Sequence, residues 1–227
     1  MTMHDNSHWT ENQQIPNLFE PQRITANDIY ETTPQAKFIV IMRNPTDRLY
    51  SHYNMFKGSA GSPERFHQQA MASIEWWQNC TEKKALPERR CLYGSPSELP
   101  PMPLTVGNPN VWWSKTNYSE GIRIGMYAVY IQDWLKVFPR SSFAFVKHEE
   151  YAINKTHVMN EHVLPMLGLK SYTARQLRFI QVSETRNKGT YHAEILPETR
   201  KMLDEFYAPF NERLARILGD TKWLWKD

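Results

Sequence analysis

The sequence predicts a helix-rich α/β fold with a small parallel sheet, on the evidence of two short apolar runs and one long amphipathic segment. Residues 37–42 read KFIVIM and residues 142–146 read SFAFV. Short, continuous runs rich in β-branched or aromatic residues are typical of parallel strands buried on both faces. Residues 121–138 carry apolar side chains at helical spacing, which predicts an amphipathic helix between the two strands.

The remaining segments predict further helices joined by polar connections. Residues 81–120 are rich in Pro, Ser and Asn and predict an irregular excursion, and residues 183–192 predict a polar loop. We expect one domain over residues 1–227, since the length and the 41% hydrophobic content suit a single core. The other predicted helices lie near 27–31, 66–77, 155–166, 172–181, 197–207 and 209–218, the last one ended by Gly219.

The small net charge limits the kinds of ligand or partner that the sequence suggests. The formal net charge is only +3, which argues against a protein that coats nucleic acid. It still permits a local basic site for an acidic ligand. No run approaches the roughly 18 apolar residues needed to cross a bilayer, and the polar N-terminus lacks a signal-peptide pattern. We therefore expect no targeting segment or anchor within these residues.

The end of the first predicted strand carries a candidate anion site. Asn44 is a good N-cap and Pro45 a good first helical residue, so Arg43 is predicted to lie between a strand and a helix N-terminus. A guanidinium there, together with open backbone N–H groups, suits a phosphate. Arg48 and Ser51 are predicted on the polar face of the same helix. The alternative is an ordinary capped helix with surface arginines.

A second candidate contact lies in the polar loop. Lys188 and Gly189 could place an ammonium group and a backbone N–H on a phosphate. The alternative, which the local sequence favours, is a plain surface turn. The eight histidines are scattered and predict no metal site. The sequence also lacks a Walker A loop and a Gly-x-Ser-x-Gly nucleophile elbow.

The two cysteines leave two alternatives. Cys80 and Cys91 are either free buried thiols or a disulfide that closes a short loop in an oxidising compartment. Three glycosylation sequons, at Asn79, Asn117 and Asn154, also favour the secretory pathway.

Taken together, these stretches resemble the Golgi carbohydrate sulfotransferases, above all those that add 6-O-sulfate to N-acetylgalactosamine 4-sulfate. RNPTDRLYSHY, from residue 43, is similar to the family's 3′-phosphate-binding motif. GMYAVYIQDWLKVF and LDEFYAPFNERLARILGD are similar to its later helices, and the resemblance extends over roughly residues 3–226. The two cysteines have counterparts in the family, so we predict a Cys80–Cys91 disulfide.

The resemblance implies a P-loop NTPase-like sulfotransferase fold and a specific donor, 3′-phosphoadenosine 5′-phosphosulfate (PAPS), with no metal. It implies that Arg43 and Ser51, with Arg48 beside them, bind the 3′-phosphate of the donor. It also implies that a loop containing Lys188 and Gly189 closes over the nucleotide. The implied acceptor is a glycosaminoglycan, at C6 of N-acetylgalactosamine 4-sulfate in chondroitin or dermatan sulfate. The implied location is the Golgi lumen, with a membrane anchor only in a full-length parent.

The sequence departs from the family at its start. Family members begin with a strand and a lysine-containing loop that binds the 5′-phosphosulfate, and we find neither here. We therefore expect an N-terminally truncated domain, and no sulfate transfer from residues 1–227 alone. The alternative is a catalytically inactive homologue that binds the nucleotide or a sulfated glycan. The catalytic residues are not identified, since His4, Asp5 and His8 are candidates only by default.

Overall fold

The computed structural model describes residues 21–57, 62–94, 121–182 and 193–226. Its sheet consists of β1 (Phe38–Met42) and β2 (Phe143–Lys147), which pair in parallel with Phe38 opposite Phe143 and Met42 opposite Lys147. The predicted strands and their parallel pairing are confirmed. The helices are α1 (Thr25–Thr32), α2 (Pro45–Lys57), α3 (Pro63–Gln78), α4 (Glu88–Tyr93), α5 (Tyr127–Val137), α6 (His148–Ile153), α7 (Lys155–Val158), α8 (Leu164–Met166), α9 (Ala174–Val182) and α10 (Pro197–Leu218).

Four shorter helical segments complete the described fold. Two are π-helical turns, at Asn79–Lys83 and Met159–Val163, and two are 3₁₀ turns, at Arg140–Ser142 before β2 and at Thr221–Leu224 after α10. None of the helices in the described ranges is both long and apolar enough to span a bilayer.

The two strands differ in how far they are covered. β2 is buried on both faces, because Phe143 and Phe145 face the main core while Ala144 and Val146 face a smaller cluster. The prediction of burial on both faces is wrong for β1, where Ile39 and Ile41 are 49% and 55% exposed. Val158 and Val163, from α7 and the π turn after it, cover β2 only. The described residues leave the matching face of β1 open.

The predicted helix over residues 121–138 is interrupted. Residues 121–124 form a helical turn. The helical geometry is interrupted at Gly125 and Met126, and α5 then begins at Tyr127. A Cβ on Gly125 would lie 2.7 Å from the ring of Tyr207. Tyr207 is fully buried and donates a hydrogen bond to the carbonyl of Ile122 at 2.9 Å. The break therefore accommodates a ring inserted from α10.

The two helices predicted for residues 197–218 are one helix. α10 runs without a break through Pro209, which lies on its exposed face. A proline ring removes one backbone hydrogen bond, and the residue whose carbonyl loses its donor, Glu205, is exposed. Leu203, Tyr207 and Leu214 are buried on the opposite face and hold the helix against the core. Gly219 ends it in the left-handed conformation, at φ 70°, as the sequence predicts.

The first part of the predicted excursion is ordered around a disulfide. Cys80 and Cys91 are bonded, with Cα atoms 6.0 Å apart and both side chains fully buried, which confirms the predicted pair. Residues 88–93 are helical, and the buried Arg123 guanidinium donates to the carbonyls of Leu92 and Gly94 at 2.9 and 3.0 Å. These contacts satisfy carbonyls at the end of α4, so this part is not irregular.

The three sequons fall in different settings. Asn79 is half-buried in a π turn, and Asn154 is exposed and accepts a hydrogen bond from the His157 N–H at the start of α7. Asn117 lies outside the described residues, as do residues 95–120 as a whole.

Candidate functional site

The junction between β1 and α2 has the predicted cap. The Asn44 side-chain oxygen accepts hydrogen bonds from the backbone N–H of Thr46 at 2.9 Å and of Asp47 at 3.3 Å. α2 begins at Pro45, whose missing N–H costs nothing in the first helical turn. Arg43 therefore lies between the carboxyl end of the strand and the N-terminus of the helix.

The backbone N–H groups of this junction already have partners within the protein. The Asn44 N–H donates to Glu149 Oε1 at 2.8 Å, and the Arg48 N–H donates to the Asn44 carbonyl. The Thr46 and Asp47 N–H groups are taken by the cap. The expectation of open backbone N–H groups is therefore wrong, and an anion at this junction depends on side chains.

An open pocket of about 810 Å³ lies at the junction. Arg43 contributes one guanidinium, and no described residue accepts a hydrogen bond from it or pairs with it. Arg200, from α10, contributes the second. The pocket is lined by Arg43, Asp47, Tyr50, Ala193, Glu194, Ile195, Pro197 and Arg200.

The pocket is built where α10 packs against α2. Thr46 Oγ1 is fully buried and donates to Asp204 Oδ1 at 2.6 Å. Arg200 Nη2 lies 2.6 Å from Asp47 Oδ1, so the second guanidinium is paired. The Tyr50 hydroxyl donates to the Ala193 carbonyl at 2.7 Å. These contacts hold α10 and Ala193, which form one wall of the pocket, against α2.

The backbone of Arg43 is held from the other side. The Tyr127 hydroxyl, on α5, donates to the Arg43 carbonyl at 3.0 Å. Burial raises the pKa of Tyr127, so its hydroxyl stays protonated and remains a donor at neutral pH. The position of Arg43 is thus set by the sheet, the cap of α2 and this tyrosine.

The other predicted site residues on α2 lie differently. Ser51 is half-buried one helical turn beyond Asp47, on the side of α2 that faces the pocket, although it does not line it. The Arg48 guanidinium donates through Nη2 to the Gly121 carbonyl and lies 3.4 Å from His52 Nδ1 through Nη1. It does not line the pocket either.

Lys188 and Gly189 lie outside the described residues. The described chain resumes at Ala193, which lines the pocket. His4, Asp5 and His8 also lie outside the described residues.

Sequence reasoning did not find Arg200. It is separated from its partner Asp47 by 153 positions, and no local pattern marks it. Asp47 suits the first turn of a helix because of the helix dipole, but nothing in the sequence links it to Arg200. The two meet because α10 crosses α2, which is a tertiary contact that periodicity alone does not reveal.

Comparison with known proteins supports one family. The sulfotransferase domain model matches residues 12–199. Carbohydrate sulfotransferase 15 from mouse and from human are each 32% identical over 99% of this chain, which covers 37% of their length. Human heparan sulfate glucosamine 3-O-sulfotransferase 6 is 24% identical over 86% of this chain and 51% of its own. The chain thus spans well under half the length of its more similar relatives.

A solved structure shares the fold. The crystal structure of a sulfotransferase from Alicyclobacillus acidocaldarius aligns with a TM-score of 0.53 and 19% identity, over 88% of this chain and 62% of that one. At this identity the likeness concerns the fold alone. The family model, in contrast, spans the strand–helix junction and most of the pocket wall. The chain therefore belongs to the sulfotransferase family.

Proposed function

We propose that this chain binds PAPS in the pocket at the β1–α2 junction and acts in sulfate transfer from that donor to a glycosaminoglycan hydroxyl. The observation that carries the proposal is the Arg43 guanidinium, which lines the pocket and has no partner among the described residues. Arginine is well suited to a phosphate because its planar fork donates two parallel hydrogen bonds.

The proposed contacts concern the 3′-phosphate of the nucleotide. Arg43 would donate to it directly, and the Ser51 hydroxyl would approach it from the next turn of α2. Arg48 is kept as a proposed contact, although reaching the phosphate would require it to leave the Gly121 carbonyl. Lys188 and Gly189 are proposed to complete the contacts from the loop that precedes Ala193.

The pocket has the size for such a ligand, and its two guanidinium groups balance the carboxylates of Asp47 and Glu194. A volume of about 810 Å³ lies within the range of small-molecule sites, about 300–1,000 Å³. The carboxylate of Asp47 would repel a phosphate, but Arg200 pairs with it at 2.6 Å. This pairing leaves Arg43 available to bind the anion.

In the proposed reaction an acceptor hydroxyl oxygen attacks sulfur in line. The new oxygen–sulfur bond forms as the bond from sulfur to the 5′-phosphate oxygen breaks, and the hydroxyl proton passes to a base. The products are the sulfated glycan and 3′-phosphoadenosine 5′-phosphate. Contacts at the 3′-phosphate lie away from the reacting atoms, so their contribution is to orient the donor for the attack.

We further propose a chondroitin or dermatan sulfate acceptor, modified at C6 of N-acetylgalactosamine 4-sulfate, and a Golgi location. The similarity to carbohydrate sulfotransferase 15 supports the carbohydrate acceptor. The buried Cys80–Cys91 disulfide supports an oxidising compartment.

Two assays on the purified chain test the proposal. Calorimetry should detect binding of 3′-phosphoadenosine 5′-phosphate, and absence of binding at millimolar nucleotide would contradict the proposal. Transfer of radiolabelled sulfate to chondroitin 4-sulfate, abolished by Arg43→Ala, would support an active transferase. Nucleotide binding without transfer would instead support the inactive binding homologue.

A further inference from the structure

We propose that the outer face of α9 binds the sulfated glycan chain. The surface consists of Arg175, Arg178 and Phe179, called the α9 surface below. The class of glycan rests on the proposed function, whereas the surface itself rests on the contacts, exposure and charge described next.

The orientation of α9 is fixed by its start. Thr173 Oγ1 accepts from the Gln176 N–H at 3.4 Å, while Gln176 Oε1 accepts from the Thr173 N–H at 2.9 Å, which is a capping box. The Tyr172 N–H donates to Asn160 Oδ1 at 3.1 Å, which ties this start to the preceding π turn. Leu177 is half-buried, and α9 packs against α7. The opposite face must point to solvent.

The cations of the α9 surface are exposed and have no carboxylate partner. Residues 162–182 contain no Asp or Glu. Within the described part of the chain, Arg175 and Arg178 form no ion pair or hydrogen bond through their side chains. Other described arginines do find carboxylates: Arg89 pairs with Asp133 at 2.8 Å. A cluster of unpaired cations is complementary to an anionic partner.

The α9 surface also presents an aromatic ring. Phe179 is 81% exposed and follows Arg175 by one helical turn, so the two side chains share a face. Phe179 gives this surface an apolar face beside the two guanidinium groups. Sulfated glycans alternate anionic groups with sugar rings that have apolar C–H faces. Cations beside a ring match that alternation, and neighbouring arginines can hold successive anionic groups.

The test measures binding of a fluorescent chondroitin 4-sulfate oligosaccharide by anisotropy in about 0.1 M NaCl. Arg175→Ser/Arg178→Ser should weaken binding by about tenfold, since each exposed contact is modest but both are lost. Phe179→Ser should weaken it several-fold. The matched control is Lys84→Ser/Arg216→Ser, which removes two exposed positive charges elsewhere and should change affinity less than twofold.

The outcomes separate this inference from the proposed function. Nucleotide binding, measured on the same variants, should not change. If the α9 variants bind the oligosaccharide like the parent, or if the control loses as much, the inference is overturned whether or not the nucleotide binds. If the nucleotide fails to bind but the α9 variants lose the glycan selectively, the proposed function fails and the inference stands. Equal, α9-dependent affinity for unsulfated chondroitin, duplex DNA or anionic vesicles would also overturn it.

Discussion

Arg200 Nη2 lies 2.6 Å from Asp47 Oδ1, and this ion pair joins α10 to α2 inside the pocket. Both side chains are partly exposed, at 40% and 32%, so the pair adds little to stability. Its consequence is electrostatic, because it offsets a carboxylate that shares the pocket with Arg43. Under the proposed function, we expect a phosphate to bind at Arg43 more weakly when that carboxylate is not compensated.

Removing Arg200 should therefore weaken nucleotide binding more than it weakens folding. We expect Arg200→Gln to reduce affinity for 3′-phosphoadenosine 5′-phosphate by about tenfold, with a stability change below about 1 kcal/mol. Asp47→Asn/Arg200→Gln should recover part of the affinity, because it also removes the repelling charge. Calorimetry and urea unfolding measure the two effects. Unchanged affinity in Arg200→Gln would show that the ion pair has no influence on the ligand.

Gly125→Ala should destabilise the fold by about 1–3 kcal/mol through overpacking. The added Cβ would lie 2.7–2.8 Å from the ring of Tyr207, which is fully buried and cannot move aside easily. The matched control is Gly121→Ala, where the nearest atom is Leu49 Cδ1 at 3.1 Å. Urea unfolding should rank Gly125→Ala as clearly the less stable variant. Equal stability of the two would mean that the Tyr207 contact does not constrain the break before α5.

Cys80→Ala/Cys91→Ala should lower the free energy of unfolding by roughly 2–3 kcal/mol, because the bond restricts the unfolded chain. The cysteines are 11 positions apart, which gives a short loop and places the effect at this modest size. Urea unfolding gives the stability change. Mass spectrometry after alkylation without reductant should find both thiols blocked in the parent protein. Two alkylated thiols would contradict the disulfide.

Acid should destabilise the protein through His162. Burial, with Lys222 and His157 nearby, lowers the pKa of His162 below its ordinary value of 6.5, although Glu150 and Glu161 oppose the shift. The unfolded chain then binds more protons than the folded one as the pH falls below about 6.5. The contribution of His162 to the free energy of unfolding is therefore fully present above that pH and is lost as the pH falls below it. His162→Gln should flatten the pH dependence of stability between about pH 7 and 5, and an unchanged slope would exclude this histidine as the cause.

The sequence predicts the elements whose signals are local. β1, the cap at Asn44 and the start of α2 at Pro45 follow from a short apolar run, an N-cap residue and a proline at the first helical position. The end of α10 at Gly219 follows from the left-handed conformation that glycine adopts readily. Each of these depends on neighbours in the chain, so no tertiary knowledge is needed.

The rest depends on which elements meet in space. Ile39 and Ile41 have the pattern of a buried strand, yet the helices that cover β2 do not extend over them. Pro209 has the pattern of a helix break, yet packing on the buried side keeps α10 continuous. Arg200 enters the pocket only because α10 crosses α2. The local pattern predicts a site at Arg43. The pairing of Arg200 with Asp47 in the same pocket is visible only in the structure.

The most direct test asks whether Arg43 recognises the 3′-phosphate itself. Calorimetry should compare 3′-phosphoadenosine 5′-phosphate with adenosine 5′-phosphate, on the parent chain, on Arg43→Ala and on the surface control Arg216→Ala. We predict that Arg43→Ala weakens binding of the first nucleotide by about 2–3 kcal/mol and leaves the second unchanged, since a charge-assisted contact is lost with only one of them. The control should match the parent with both. Equal affinity of the parent for the two nucleotides, or an equal loss with both in Arg43→Ala, would contradict the account.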